Sequence, residues 1–229
     1  MSELPEPLFS NPVWHALHGP HRHLAILEGN ACRYPADVAP FAAIAAPTDQ
    51  TLDELRSLLT PEESVWIVDY GRTAPGLKIV DSLPCLQMLL PHDVELPPRS
   101  AEVVPLSAAH AQEMVALTDL AFPGFFRSKT YRMGYYCGVR VDGELVAMGG
   151  ERLWLDGFPE LSGICTHPSH RGKGLATDII GHLVERHRHG GLNSWLHVGA
   201  PNTRAIDLYT SLGFKRIRTL TLNQIVRVG

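Results

Sequence analysis

Residues 164–177 read ICTHPSHRGKGLAT, a strand-like segment that passes through a loop with two glycines into the start of an amphipathic helix. Gly172 and Gly174 let the chain turn sharply and approach a ligand closely. The N–H groups of a first helical turn lack intrahelical partners and lie at the positive end of the helix dipole. Arg171 and Lys173 add positive charge nearby. The segment therefore predicts a site for an anionic ligand where the helix begins.

Three interpretations of this loop compete. A Walker phosphate loop requires Gly-Lys followed by Ser or Thr, but Gly174 follows Lys173 and the upstream glycine is missing. A dinucleotide fingerprint requires a third glycine where Thr177 stands, early in a βαβ unit. These two are excluded, whereas a tight connection without any ligand stays open as long as the loop is considered alone.

A second motif follows at residues 202–214, NTRAIDLYTSLGF, where Asn202 begins a helix that ends in Tyr-x-x-x-Gly-Phe. With the earlier Arg-x-x-Gly-x-Ala between a strand and a helix, this segment resembles the two hallmarks of the GNAT superfamily of N-acetyltransferases. The resemblance covers residues 102–228 in the order of elements and is sharpest over 160–214. Two motifs in the right order arise by chance far less often than one short glycine pattern.

The resemblance implies acetyl-CoA, or a related acyl-CoA, as the cosubstrate. The backbone amides of the loop would bind its pyrophosphate, and these amides belong to Arg171, Gly172, Lys173, Gly174, Leu175, Ala176 and Thr177. The preceding strand would pair with the pantetheine arm as with an added strand, a role that falls to Ile164, Cys165 and Thr166. Asn202 would contact the same arm while also capping its helix.

Candidate catalytic groups come from the same resemblance. Tyr209 matches the tyrosine near the CoA sulfur, and a phenol can protonate a departing thiolate. Glu160, at the start of the strand that leads into the loop, is the candidate general base, with a raised pKa if the cleft is apolar. Glu151 on the neighbouring strand is the reserve candidate, and water is the third possibility. Cys165 has no obvious His/Asp partner and is interpreted as a small buried residue rather than a nucleophile.

The predicted fold class is α/β (α+β), a GNAT-like mixed, mostly antiparallel sheet flanked by helices. Prolines and charges in residues 90–100 place a domain boundary there, dividing the chain into 1–98 and 99–229. The first part is predicted as a smaller α/β half, a degenerate GNAT-like unit of unassigned role, with strands near 23–27, 41–46 and 65–69 and a helix at 51–59 capped by Thr51 or Asp49. The second part is predicted in the order βααβββαβαβ.

Composition limits the partners. Twenty basic and 24 acidic side chains give a formal charge of -4 without a run of like charges, so we expect no nucleic-acid or membrane partner. No leader-like or membrane-spanning apolar run is present, and the four cysteines form no Cys-x-x-Cys pair. Two groups of histidines lack the spacing of a metal site, so no metal is predicted. We therefore expect a cytoplasmic protein with reduced thiols.

Two functional hypotheses follow. The first is an N-acetyltransferase that transfers the acyl group directly to a primary amine in a ternary complex. The second is a non-catalytic acyl-CoA sensor or interaction module, which would have no use for an acid placed near the sulfur. The acceptor, the acyl chain length and the oligomeric state cannot be read from the sequence.

Overall fold

The computed structural model describes residues 6–71 and 74–229. The α-helices of these residues are α1 (Glu6–Ser10), α2 (Pro12–His18), α3 (Asp49–Ser57), α4 (Ala111–Asp119), α5 (Leu175–His189) and α6 (Thr203–Ser211). The strands are β1 (Ile26–Glu28), β2 (Ala31–Arg33), β3 (Ala42–Ile44), β4 (Ser64–Val68), β5 (Leu77–Leu89), β6 (Val104–Leu106), β7 (Tyr136–Val141), β8 (Glu144–Leu155), β9 (Phe158–Thr166), β10 (Trp195–Gly199) and β11 (Lys215–Arg227). Short 3-10 turns lie at Arg22–Leu24, Ala108–His110, Thr130–Met133 and Pro168–His170.

A large mixed sheet organises the fold. Its eight described strands lie in the order β4-β11-β5-β10-β9-β8-β7-β6. Only β9 and β10 run parallel within it, and the other neighbouring strands are antiparallel. A smaller antiparallel sheet contains β1, β2 and β3. The predicted fold class, a mostly antiparallel mixed sheet with flanking helices, is confirmed.

Helix α5 is anchored at both its side and its beginning. Ile179 and Leu183 are fully buried and belong to one apolar cluster with Leu161 of β9. The carboxylate of Asp178, in the first turn, accepts hydrogen bonds from the backbone N–H of Ser100 and Ala101, both at 3.0 Å. These contacts fix the start of α5, and with it the preceding loop, relative to the sheet.

The sequence patterns were least informative in the N-terminal part. They did not indicate α1, α2, β2 or the 13-residue strand β5. Pro84 interrupts the strand pattern of β5, yet β5 lies inside the sheet between β11 and β10. The predicted cap of α3 was also wrong, because Thr48 caps the helix and Thr51 is its capping-box partner. The tertiary contacts of β5 and the local bonds of Thr48 override the sequence pattern.

Strands from both sides of Pro98 share the large sheet, since β4 and β5 precede this residue and their partners β10 and β11 follow it. The division of the chain into domains 1–98 and 99–229, and the interpretation of the first part as a degenerate GNAT-like unit, stay predictions.

Candidate active site

Strands β9 and β10 pair only at their beginnings. The parallel register joins Trp195 to Glu160 and Leu196 to Leu161, after which β10 continues along β5. Between Ser162 and Thr166, β9 therefore has no strand partner on this side among the described residues. A bulge opposite β8 accompanies the opening, where Gly163 adopts a φ of 68°. Backbone groups left unpaired in this way can accept an extended ligand as an added strand, and the predicted pantetheine residues lie along this stretch.

The loop before α5 makes the sharp turn that its two glycines predict. Gly172 and Gly174 have φ values of 79° and 78°, in the left-handed region that favours glycine. A Cβ atom at either position would meet no heavy atom within 4 Å, so the space beside the loop is open. In the described part of the chain, the amides of residues 172–177 have no hydrogen-bond partner. Six free N–H groups at a helix beginning suit an anionic group.

These two features border a cavity of about 520 Å³. Its lining includes every predicted cofactor-binding residue except Lys173, namely Ile164, Cys165, Thr166, Arg171, Gly172, Gly174, Leu175, Ala176, Thr177 and Asn202. His170 and Arg204 also line it, and sequence analysis missed both. Arg204 stands two residues after Asn202 in the second motif, so the motif itself carried the signal. The cavity thus combines free amides with cationic side chains.

A second cavity, of about 210 Å³, adjoins the first. The two have five lining residues in common, Phe122, Ile164, Asn202, Ala205 and Tyr209. Asn202 caps α6 as predicted, since its side-chain oxygen accepts a hydrogen bond of 3.2 Å from the N–H of Ala205. We refer to the two cavities together as the cleft. A ligand in the first cavity can therefore reach a ligand in the second.

Tyr209 lies where the two cavities meet. Its side chain is largely buried, and burial, supported by the charge of Glu160, raises the pKa of the phenol to about 12. A phenol with this pKa keeps its proton at neutral pH. Tyr209 can thus act as a proton donor at the junction.

Glu160 does not have the environment expected of a general base. It is fully buried, and it is absent from the residues that line the cleft. Its carboxylate accepts hydrogen bonds from Arg152, from His197 Nδ1 at 2.7 Å and from the N–H of Leu153. Burial favours a raised pKa, but the charge of Arg152 and these bonds hold the pKa of Glu160 well below its usual range. The expectation of a raised pKa was wrong, because an ion pair rather than an apolar wall surrounds the carboxylate.

Glu151, the reserve candidate, lines a different cavity of about 670 Å³ beside α5. Its carboxylate accepts bonds from the N–H of Tyr135 at 2.9 Å and from Trp154 Nε1 at 3.2 Å. His187 Nε2 lies 3.2 Å away, and the other ring nitrogen of His187 bonds Ser194. Burial opposes ionisation, yet the bond from His187 and the Tyr135 N–H bring the pKa of Glu151 below its usual value. Glu151 therefore lies away from the cleft, with its carboxylate bonded to neighbouring residues of the protein.

Cys165 borders the first cavity but is poorly suited to nucleophilic attack. Its side chain is 6 % exposed, and burial raises the pKa of the thiol to about 12. The reactive form of cysteine is the thiolate, which is scarce at neutral pH when the pKa is this high.

The N-terminal part of the chain contributes directly to the surroundings of the cleft. Phe41 lies under the guanidinium of Arg152, with 4.9 Å between the guanidinium carbon and the ring centroid. Gln87 of β5 bonds His197 at 3.0 Å and the backbone oxygen of Phe9 at 2.9 Å. Trp66 stacks on Phe125, a lining residue of the smaller cavity. The sequence indicated no role for Phe41, Trp66 and Gln87, which belong to no recognisable motif.

Residues 103–214 match the acetyltransferase (GNAT) family. This region contains the separating strands β9 and β10, the loop with free amides before α5, and helix α6 with its Asn202 cap. A GNAT-family protein from Novosphingobium aromaticivorans has a similar crystal structure, with 35% sequence identity, a TM-score of 0.87 and coverage of 96% of this chain and 99% of that one. The chain belongs to the GNAT acetyltransferase family. As a GNAT protein it is a transferase whose family uses acetyl-CoA as cosubstrate, and the free amides and open space at Gly172 and Gly174 fit such a ligand.

Two further structures share the GNAT fold at lower identity. A GCN5-related N-acetyltransferase from Kribbella flavida is 21% identical, with a TM-score of 0.62, over 94% of this chain and 93% of that chain. A Drosophila protein is 14% identical, with a TM-score of 0.63, over 87% of this chain and 74% of that chain. No curated protein matches the sequence of the chain. Among residues 6–71 and 74–229, no helix has the length and apolarity needed to cross a bilayer, and no cluster of His, Cys, Asp and Glu side chains is arranged to hold a metal ion.

Proposed function

We propose that this GNAT protein transfers the acetyl group of acetyl-CoA directly to a primary amine within a ternary complex. The observation that carries the proposal is the junction of the two cavities at Tyr209. In the proposed complex the pyrophosphate lies against the free amides of residues 172–177, since the N–H of Arg171 bonds the backbone oxygen of Pro168, and the pantetheine arm runs along Ile164, Cys165 and Thr166. The acceptor amine enters the smaller cavity and meets the thioester beside Tyr209.

The proposed reaction needs no covalent enzyme intermediate. The uncharged amine nitrogen attacks the thioester carbonyl carbon and then loses one proton to water. The carbon–sulfur bond breaks, and an amide and the CoA thiolate are formed. Tyr209 donates its phenolic proton to the departing thiolate and regains a proton from solvent. The raised thiol pKa of Cys165 argues against an acetyl-cysteine intermediate.

Water is the proposed base for the amine. Among the described residues, no Asp or Glu side chain lines the cleft, since Glu160 is buried behind Arg152 and His197 and Glu151 lines a separate cavity. His197 lines the smaller cavity, but its two ring nitrogens already contact Glu160 and Gln87. The proton that the acceptor nitrogen loses therefore passes to solvent, directly or through ordered water.

Two measurements made together distinguish an enzyme from a non-catalytic acyl-CoA sensor. Thermal unfolding with and without acetyl-CoA reports binding, and a thiol reagent reports CoA release across a panel of primary amines. We expect stabilisation by acetyl-CoA together with release that depends on the amine. Stabilisation without release from any amine would instead support the acyl-CoA sensor. Mass spectrometry of the protein incubated with acetyl-CoA alone should show no bound acetyl group, and a stable acetyl adduct on Cys165 would contradict direct transfer. A cytoplasmic location also stays part of this proposal.

A further inference from the structure

The cleft is lined by cationic and neutral side chains. Arg171, Arg204 and His170 line the larger cavity, and Arg152 and His197 line the smaller one. No carboxylate from the described residues borders either cavity. A phosphate-bearing cosubstrate accounts for the positive groups of the larger cavity, but it does not account for Arg152, which lines only the smaller one.

Arg152 is held rigidly and keeps one nitrogen free. Its Nη2 and Nε donate to the two carboxylate oxygens of Glu160 at 2.6 and 3.0 Å, and its face packs on Phe41. Its Nη1 has no hydrogen-bond partner among the described residues. The side chain is 15% exposed, and Arg152 lines the smaller cavity. A guanidinium fixed on one edge thus offers its remaining N–H donors to whatever occupies this cavity.

Arg33 is a second buried arginine, and its hydrogen bonds are those of a guanidinium with a purely structural role. Arg33 donates from Nε to the backbone oxygen of Tyr34, from Nη1 to that of Leu58 and from Nη2 to Glu63. All three of its nitrogens have protein partners, and Arg33 lines no cavity described above. Arg152 differs by the one nitrogen left open beside a cavity, which indicates a ligand contact rather than a structural role alone.

The remaining walls define the size and character of the ligand. Tyr136, whose hydroxyl has no hydrogen-bond partner among the described residues, also lines the smaller cavity. The rest of the wall combines the apolar side chains of Phe122, Phe125, Phe126 and Leu222 with polar side chains such as those of Thr130, Ser162 and Asn202. The volume of about 210 Å³ lies below the roughly 300–1,000 Å³ of sites for drug-sized ligands. A small ligand with one anionic end and a modest apolar part fits these walls.

We propose that the acetyl acceptor is a small amine carrying a carboxylate, such as a free amino acid, whose carboxylate binds Arg152 Nη1 and the Tyr136 hydroxyl. This inference rests on the proposed acetyl transfer, because it assigns the second substrate of the same reaction. Glu160 is then a positioning residue, which holds the guanidinium edge toward the cavity. The amine end of the acceptor reaches the thioester beside Tyr209.

The first experiment compares matched acceptors on the wild-type protein. Glycine, leucine, phenylalanine and β-alanine are each tested against the corresponding primary amide, with rates corrected for the fraction of uncharged amine. We expect at least one carboxylate to have a kcat/KM about 10- to 100-fold above that of its amide, the range expected from losing a charge-assisted hydrogen bond. Equal or faster acetylation of every amide would overturn the inference while leaving the proposed acetyl transfer intact. Absence of CoA release from all amines would overturn the proposed transfer, and this inference with it.

A second experiment removes the guanidinium without leaving a buried charge unpaired. The double variant Arg152→Gln/Glu160→Gln is compared with Arg33→Gln/Glu63→Gln, a matched removal of the other ion pair. We expect the first variant to raise KM for the carboxylate acceptor about 10- to 100-fold, with little change for its amide and unchanged acetyl-CoA affinity. The control should leave both acceptors unaffected. Equal loss for carboxylate and amide would contradict the inference, and if the variant does not fold, the wild-type comparison decides.

Discussion

Arg152 and Glu160 form a two-point ion pair, with Nη2 2.6 Å from Oε1 and Nε 3.0 Å from Oε2. This relationship determines the roles of both residues. It lowers the pKa of Glu160 and occupies both of its oxygens, so the carboxylate is a poor proton acceptor. It also fixes the guanidinium of Arg152 beside the smaller cavity, where an acceptor would bind.

The ion pair predicts a pH-dependent stability. The folded-state pKa of Glu160 lies below the ordinary value of 4.5, so its stabilisation is complete above that pH and is lost as the pH falls toward the folded-state pKa. Glu160→Gln should lower the free energy of unfolding at neutral pH by about 3–5 kcal/mol, because Arg152 is left buried without its counter-charge.

Urea unfolding followed from about pH 7 down to about pH 3 measures this effect. The difference between wild type and Glu160→Gln should shrink below pH 4.5. Glu144→Gln, at the exposed start of β8, serves as the control and should change stability little. A constant difference across the whole range would contradict a depressed pKa for Glu160.

Substitution of the loop glycine Gly174 should affect both acetyl-CoA binding and stability. Gly174→Asp should raise the acetyl-CoA Kd roughly tenfold or more, because a carboxylate would crowd and repel the pyrophosphate at the amide loop. It should also cost about 1–2 kcal/mol of stability, since φ at this position is 78°.

Gly157→Asp separates these two effects. Gly157 has a φ of 77° and open space beside it, but it lies in the turn between β8 and β9, outside the cleft residues. Its variant should show a similar loss of stability with unchanged acetyl-CoA affinity by calorimetric titration. Unchanged affinity in Gly174→Asp would rule out the proposed pyrophosphate site.

Tyr209→Phe should slow turnover with little change in acetyl-CoA binding. Loss of a general acid costs roughly 100-fold in kcat. Because the pKa of the phenol is raised to about 12, the wild-type kcat should not fall between about pH 7 and pH 10 through loss of this proton. Steady-state rates and a binding titration measure both quantities. Tyr135→Phe is the matched control, because the ring of Tyr135 lines the cavity beside α5 that also contains Glu151. An equal loss of kcat in both variants would argue against a specific role for Tyr209.

Glu151→Gln tests whether the second carboxylate contributes to catalysis. The substitution should cost about 1–3 kcal/mol of stability by weakening the bonds with His187 and the Tyr135 N–H. The kcat of the folded protein should change by less than about threefold, because Glu151 lines a cavity separate from the cleft. Stability is measured by thermal unfolding and turnover by CoA release below the unfolding transition. A drop in kcat as large as that of Tyr209→Phe would indicate that Glu151 contributes to catalysis.

Local sequence was sufficient at the two motifs of the candidate site, although not at the cap of α3, where Thr48 was overlooked. Gly172 and Gly174 adopt positive φ because only glycine does so without strain, and Asn202 caps α6 because its short side chain reaches the Ala205 N–H. Each motif occupies a short stretch of the chain, so its resemblance to the GNAT motifs could be recognised from the sequence and indicated the family and the region expected to bind the cosubstrate.

Only the tertiary structure decided which charged groups meet. Arg152, Glu160 and His197 lie on three strands, and β5 brings Gln87 to the same place, so no local spacing could reveal their contacts. The sign of the pKa shift of Glu160 depended on whether an apolar wall or a guanidinium lay beside it. Sequence therefore determined the backbone of the glycine loop that we propose binds the cosubstrate, whereas long-range packing determined the cavity next to it, because charges act through space and not along the chain.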